Sequence, residues 1–300
     1  MSFEITDQCT FKQALDLSSR YLDENTVFFG HGTDNSWDEA VALLLWAADL
    51  PIDSGQSILG ENLPEEALAR FVNAMNVRVN DRKPVPYITN EAWFYGLPFY
   101  VDESVLIPRS PIAELIANQY SPWLKKKPEK LLDLCCGSGC IGIAAALALP
   151  DSEVVLSDIS NKAIDIAEKN IDAHRCSDRV TAVCGDLFKA VQHKTFDLIL
   201  CNPPYVDLDD LSSMPTEYLH EPEIALGSGA DGLDLARQIL DQAVDYLNDE
   251  GVLVLEVGNS WVQMQDAYPN FPFIWLEFEQ GGHGVCVLSK ADLENDCFRQ

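Results

Sequence analysis

The chain has 300 residues, 47% of them hydrophobic, with 20 basic against 48 acidic side chains for a formal charge of −28. That apolar content suffices for one large core and a second, smaller unit, which excludes a disordered chain. The charge argues against direct nucleic-acid binding, whose affinity comes mostly from basic contacts to phosphate, whereas the same acidity would attract a strongly basic protein or simply keep the surface solvated.

The first residues, Met1 to Asp7, show neither the basic end nor the apolar stretch of a secretory signal. No run approaches the ~20 apolar residues of a membrane span, so a cytoplasmic protein without membrane contact is expected. Cys135, Cys136, Cys140, Cys184 and Cys201 lie within or beside apolar runs, as reduced small hydrophobes do, and no disulfide is expected. Cys136 and Cys140 have no second Cys pair or His cluster at ligand spacing, so no metal site is expected.

Residues 1–82 read as a small helical domain. Helical periodicity covers Thr10 to Tyr21, then Ser36 to Ala48 with Ser36 and Glu39 at capping-box spacing, then Pro64 to Val79 with proline at the first turn. Trp37, Leu43, Leu44 and Trp46 are assigned to its core. Residues 83–105 read as a hairpin linker: Lys83-Pro84-Val85-Pro86 breaks the pattern, and two short strands follow around Gly96-Leu97-Pro98.

Residues 106–300 alternate short apolar runs with helical stretches, the rhythm of an α/β domain with a doubly wound, Rossmann-like parallel sheet. Strands are expected at Leu131–Leu134, Val154–Ser157, Val180–Cys184, Asp197–Cys201 and Val252–Val257. Phe273–Phe278 and Gly284–Leu288 are joined by a link too short for a crossover helix, so a terminal antiparallel hairpin is expected.

Chemistry gathers at the carboxyl ends of these strands. Asp133-Leu134-Cys135-Cys136-Gly137-Ser138-Gly139-Cys140 is a strand, a tight turn and a helix start; Gly137 and Gly139 would let the backbone approach a ligand, and Asp133 could bind a cationic or hydroxyl-bearing part of it. Asp158 ends the second strand, where an acid accepts from ribose hydroxyls. Gly185-Asp186-Leu187-Phe188 ends the third, where an acid or backbone group could read an adenine amine and an apolar side chain could stack on the ring. Each acid could equally cap a turn or helix, as Asp158 could before Ser160 and Asn161. A dinucleotide fingerprint would carry glycine at position 135, so a nucleoside is expected in preference to NAD.

Asn202-Pro203-Pro204-Tyr205 ends the apolar run Phe196–Cys201. An Asn side-chain oxygen and a carbonyl held by the next proline's fixed φ are two converging acceptors, suited to the two hydrogens of a planar NH2 group. Taken together, these residues resemble the seven-stranded S-adenosylmethionine-dependent methyltransferases, and the tetrapeptide narrows the resemblance to enzymes that methylate planar nitrogen on adenine, guanine or glutamine. The acidic chain favours glutamine.

Within the protein glutamine methyltransferase family the chain is similar, along nearly its whole length, to the subgroup acting on protein three of the large ribosomal subunit. The match is carried by Asp34–Ala40, Tyr87–Phe94, Val101–Pro111, His220-Glu221-Pro222 and Gly229–Leu233. Release-factor enzymes share Ile107-Pro108-Arg109 but usually continue with Pro-Asp-Thr-Glu where this chain has Ser110-Pro111-Ile112-Ala113. The resemblance implies S-adenosylmethionine as cofactor, surrounded by Asp133, Cys135, Gly137, Gly139, Asp158, Asp186, Leu187 and Asn202. It also implies that Asn202, Pro203, Pro204 and Tyr205 hold the target amide, with Arg109 near the site, and that protein three is the partner, free or within an assembling subunit. Cys135 departs from the glycine usual in methyltransferases at that place. Arg109 could instead be a structural ion-pair partner, and Glu221 and Asp231 caps or turn residues. Methylation of a release-factor glutamine, or a non-catalytic role in ribosome assembly, are the alternatives.

Overall fold

The structure, a computed structural model, describes residues 2–5, 9–294 and 298. The chain divides into two compact units, one formed by Met1–Ala92 with Pro215–His220, the other by Trp93–Met214 with Glu221–Gln300. Among the described residues no helix is long and apolar enough to cross a membrane.

The first unit is helical. α1 (Phe11–Glu24) starts on a reciprocal cap in which Thr10 Oγ1 accepts from Gln13 N and Gln13 Oε1 accepts from Thr10 N, satisfying two otherwise orphaned donors. Its buried stripe, Phe11, Ala14, Leu15, Ser18 and Leu22, follows helical spacing. α2 (Ser36–Ala47) is capped by Asn35, whose side chain accepts from Asp38 N. The cap therefore stands one residue ahead of the expected Ser36, which is buried with its hydroxyl 2.9 Å from that of Ser19, while Glu39 turns inward. α3 (Glu65–Asn80) and the short α4 (Val85–Thr89) complete the unit. Leu43 and Leu44 sit in its core with Phe71 and Met75, but Trp37, at the open end of α2, is 40% exposed.

The largest fully buried side chain here is Arg78. Its Nε lies 2.6 Å from Glu39 Oε1, its Nη1 3.4 Å from Glu217 Oε1, and its Nη2 donates to the Phe28 carbonyl at 2.7 Å. Burial pushes the Glu39 carboxyl up, and the guanidinium opposes that rise. Glu217 belongs to Pro215–His220, so one buried cation clips a segment remote in sequence into the helical unit.

A two-stranded ribbon follows, β1 (Glu91–Phe94) and β2 (Leu97–Tyr100), whose turn residues Tyr95 and Gly96 both have positive φ, as a tight hairpin turn twisted with its strands requires. There follow α5 (Ile112–Ala117), β3 (Lys130–Leu134), α6 (Cys140–Ala148), β4 (Glu153–Asp158), α7 (Asn161–Ala173), β5 (Val180–Cys184) and β6 (Phe196–Cys201). The chain ends with α8 (Leu208–Ser213), α9 (Asp234–Gln242), β7 (Leu247–Glu256), α10 (Trp261–Ala267), β8 (Val285–Ser289) and α11 (Lys290–Leu293).

The main sheet runs β5-β4-β3-β6-β7-β8, parallel except for β8, which pairs antiparallel with β7. Alternate residues feed opposite cores: Leu131, Leu198, Leu200, Val252 and Val254 on one face, Leu132, Ile199, Leu253 and Leu255 on the other. Full burial of each such side chain stabilises by about 1.5–3 kcal/mol. Strand order reverses between β3 and β6, opening a crevice at the carboxyl ends where ligands of such sheets bind.

The expected seven-stranded sheet is corrected to six strands among the described residues. Phe273–Phe278 makes one antiparallel bridge, Trp275 to Cys286, and one bond from Leu276 N to Val285 O at 2.9 Å instead of a strand ladder. Pro269 and Pro272 precede it, removing donors and fixing φ. Side-chain stacking holds the segment in their place, with ring centroids 4.8 Å apart for Phe271 and Phe273 and 5.3 Å for Phe273 and Trp275. The terminal antiparallel pair is therefore β7–β8.

Replacing Arg78 by Leu would leave Glu39 buried without its cation and Glu217 with the longer contact to Arg82 Nη1 at 3.6 Å. The helical unit is expected to lose about 3–5 kcal/mol, the typical cost of breaking a buried pair from one side, read as a lower urea midpoint by circular dichroism.

Candidate active site

β3, β4, β5 and β6 end nearly in register, with Leu134 opposite both Ser157 and Cys201, and Asp158 opposite Cys184. Four loops therefore start at one sheet edge. A cleft opens there, lined by residues from all four loops, as clefts at this edge of such sheets are.

The turn after β3 is drawn tight by its own backbone. Cys136 N donates to Ser157 O at 3.0 Å, Gly139 N to Cys136 O at 2.8 Å, and Gly139, at φ 79°, is the N-cap of α6. Cys135, where the sequence pattern calls for glycine, takes φ 60°. Such a left-handed conformation costs a residue with a β-carbon about 1–2 kcal/mol. Asp158 ties this turn to the next: Oδ2 accepts from Gly137 N and Oδ1 from Ser160 N, each at 2.9 Å. Helix α7 is capped by Ser160, so Asp158 serves as a bridge between loops and not as the N-cap. Burial raises its carboxyl, against the pull of its backbone donors.

Cys135, Gly137, Asp158, Asp186, Leu187, Asn202 and Pro204 all face this cleft. Asp186, half exposed, holds Lys189 Nζ at 2.6 Å. Phe188 leaves the cleft for the core, stacking on Tyr246 with centroids 4.5 Å apart. Asp133 and Gly139 lie beneath the floor. Asp133 is buried with Oδ2 accepting from Gly142 N at 2.8 Å and Oδ1 without a partner among the described residues, and burial pushes its carboxyl up to about 7. Ser157 Oγ is likewise buried without such a partner, and its residue lines the cleft, so polar capacity remains for a ligand. Sequence reading missed the walls supplied by Ser104–Leu106 and by Pro222, Ile224 and Leu235. These are loop or helix-start residues with no periodic signal.

The Asn-Pro-Pro-Tyr turn faces two ways. Asn202 and Pro204 line the first cleft, Pro203 is buried, and Tyr205 lines a second cleft together with Arg109. Arg109 Nη1 and Nη2 each lie 2.6 Å from an oxygen of Glu221, whose side chain is fully buried and which also accepts from Ile107 N at 3.0 Å. The guanidinium is thus a fork–fork ion pair at the rim of the second cleft. Asp231 pairs with Arg237, which lowers its carboxyl, and accepts from Leu233 N at the start of α9, away from both clefts.

A further carboxyl went unread in the sequence. Glu256, at the end of β7, is 3% exposed; its Oε2 accepts from Ser110 Oγ at 2.5 Å and its Oε1 lies 3.4 Å from the Tyr205 hydroxyl. Burial pushes Glu256 up to about 7, and burial followed by Glu256's charge pushes the Tyr205 phenol up. Tyr205 is clamped further by Ser260 Oγ, which donates to its carbonyl at 2.6 Å, and by its ring against Gly258, where a Cβ would collide with it. Among the described residues no group of three or more His, Cys, Asp or Glu is placed to hold a metal ion.

A doubly wound sheet, a glycine turn at its switch point and an Asn-Pro-Pro-Tyr turn beside it define an S-adenosylmethionine-dependent methyltransferase. The model of the Methyltransferase small domain family matches residues 118–222. The catalytic domain of hMettl16, solved in complex with the MAT2A 3'UTR hairpin 1, shares the fold with a TM-score of 0.51 at 14% identity, over 75% of this chain and 81% of that one.

A ribosomal protein uL3 glutamine methyltransferase from Francisella tularensis is 45% identical over 95% of this chain and 91% of its own. A protein of the same name from Bordetella pertussis is 40% identical over 91% and 92%. The chain belongs to the family of ribosomal protein uL3 glutamine methyltransferases, and its methyl donor is S-adenosylmethionine.

Glu256 makes stability depend on pH. The unfolded carboxyl ionises near its ordinary value of 4.5 and the folded one only near 7, so the group's contribution is fully present below 4.5 and is lost as pH rises through about 7. Urea midpoints measured across that interval are expected to fall less steeply for Glu256→Gln than for the unaltered protein.

Proposed function

We propose that this protein transfers the methyl group of S-adenosylmethionine to the side-chain amide nitrogen of a glutamine in ribosomal protein uL3. The observation that carries the reading is Asn202 at the wall of the cleft at the strand ends, on a turn made rigid by two prolines, in a chain whose close relatives bear that name. Bound in the cleft, the cofactor supplies an electrophilic methyl group on a sulfonium. Asp158, at the end of β4, would accept from its ribose hydroxyls, Asp186 and Leu187 would hold its adenine, and the turn Cys135–Gly139 would let the backbone approach, with Asp133 anchoring Gly142 at the start of α6 from beneath.

A carboxamide nitrogen is a weak nucleophile because its lone pair is delocalised into the carbonyl. Asn202 Oδ1 and the Pro203 carbonyl, each accepting one N–H, would pull electron density onto nitrogen and fix the amide's orientation. Once methylated, the nitrogen is strongly acidic and loses its proton without a dedicated base. Tyr205 and Pro204 would flank the aliphatic stem of the glutamine. The helical unit would serve to recognise the substrate. The charge of −28 suits a partner that must be basic to bind ribosomal RNA, whether free or in an assembling subunit, and argues against direct nucleic-acid contact. Such a reaction belongs in the cytoplasm.

Incubation of purified uL3 and, separately, a purified release factor with the enzyme and S-adenosylmethionine, followed by mass spectrometry, is expected to place one methyl group on a glutamine of uL3 alone. Asn202→Ala should lower the rate by about 100- to 1,000-fold, the usual loss when one preorganised polar contact is removed. Its cofactor affinity, measured by calorimetry, should stay close to that of the unaltered protein. Methylation only of the release factor, or undiminished transfer by Asn202→Ala, would overturn the reading.

A further inference from the structure

The second cleft shares no lining residue with the first. Pro204 lines one and Tyr205 the other, so the end of the Asn-Pro-Pro-Tyr turn is the partition between them. Polar side chains of its lining are already engaged. Arg109 is held by Glu221, Glu114 accepts from Glu279 N at 3.0 Å and Gln280 N at 2.8 Å, and His283 Nε2 lies 2.8 Å from Asn259 Oδ1. The space is preorganised by these bonds, and its carboxyls Glu114 and Glu256 accept from uncharged donors. Glu256 forms the floor, joining Ser110 to Tyr205 through its two oxygens.

A glutamine side chain is short, so an amide held at Asn202 brings the polypeptide that carries it to the immediate neighbourhood of the turn. With the cofactor in the first cleft, the second cleft offers that polypeptide space on the other side of the partition. Ser110 and Pro111, the residues at which the chain departs from the release-factor pattern, lie there.

We propose that the second cleft receives the polypeptide flanking the target glutamine, with Glu256 acting as a positioning residue that holds Tyr205 and Ser110 as its wall. The proposal rests on the reading above, that a glutamine of uL3 is the substrate. The competing route is the shallow pocket between Leu208 and Ile224, whose aliphatic side chains are 60% and 61% exposed and which borders the first cleft at Ile224.

Two full-length variants carrying a benzophenone amino acid, one at Gln280 on the exposed rim of the second cleft and one at Ile224, separate the routes. After irradiation with uL3 and S-adenosylhomocysteine, the Gln280 probe is expected to crosslink within a few residues of the methylated glutamine and the Ile224 probe not to. Glu256→Gln can no longer accept from both hydroxyls through equivalent oxygens. It should raise KM for uL3 about 10-fold while the dissociation constant for S-adenosylmethionine stays within about twofold. Flanking crosslinks from Ile224 alone, or a Glu256→Gln protein that loses cofactor affinity and kcat with KM unchanged, would overturn the proposal. An unaltered enzyme that methylates no glutamine of uL3 would instead remove the parent reading.

Discussion

The pairing of Leu134 with Cys201 is the constraint from which the site follows. β3 and β6 are distant in sequence but adjacent in the sheet, because the chain winds outward through β4 and β5 before returning on the other side of β3. Their in-register ends place Cys135 beside Asn202. A slip of one residue would turn every side chain of β6 to the opposite face and carry Asn202 away from the cleft. The register is held by apolar burial on both faces, with Leu198 and Leu200 in one core and Ile199 and Cys201 in the other. The geometry of a polar turn thus depends on hydrophobic packing several residues upstream.

Buried carboxyls do the local fastening. Asp133 anchors the start of α6 through Gly142 N, Asp158 bridges the turns after β3 and β4, and Glu256 bridges Ser110 and the Tyr205 hydroxyl. Each is raised by desolvation, which outweighs the stabilisation from its donors. Glu221 is different, because a bidentate guanidinium compensates it. It follows directly on Pro215–His220, where Glu217 is taken up by Arg78 in the helical unit. The loop leaving the Asn-Pro-Pro-Tyr turn is therefore secured by carboxylate–arginine contacts at Glu217, with Arg78 and Arg82, and at Glu221, with Arg109.

Much of this was legible in the sequence where the signal is local. The strands from Leu131 to Cys201, the glycine turn at Gly137 and Gly139, and the acids closing β4 and β5 stand where period and spacing put them. Local signals also misled. Phe273–Phe278 alternates like a strand, yet prolines just upstream and ring stacking leave it a single bridge. Ser36 and Glu39 have capping-box spacing, but both side chains are drawn inward by partners on other helices, and Asn35 caps. Trp37 has the composition of a core residue at a position that leaves it 40% exposed.

By itself, then, the sequence determined the α/β class, the succession of elements, and the residue types available at each strand end, because strands, turns and helix starts depend on side-chain period and backbone freedom within a few residues. Only the tertiary structure decided that Asp133 and Gly139 lie below the floor, that Arg109 belongs to Glu221, and that Tyr205 turns away from Pro204 toward Glu256 and Ser110. Those outcomes rest on contacts between residues far apart in the chain, formed where sheet register brings them together and where desolvation makes a partner for each buried charge obligatory.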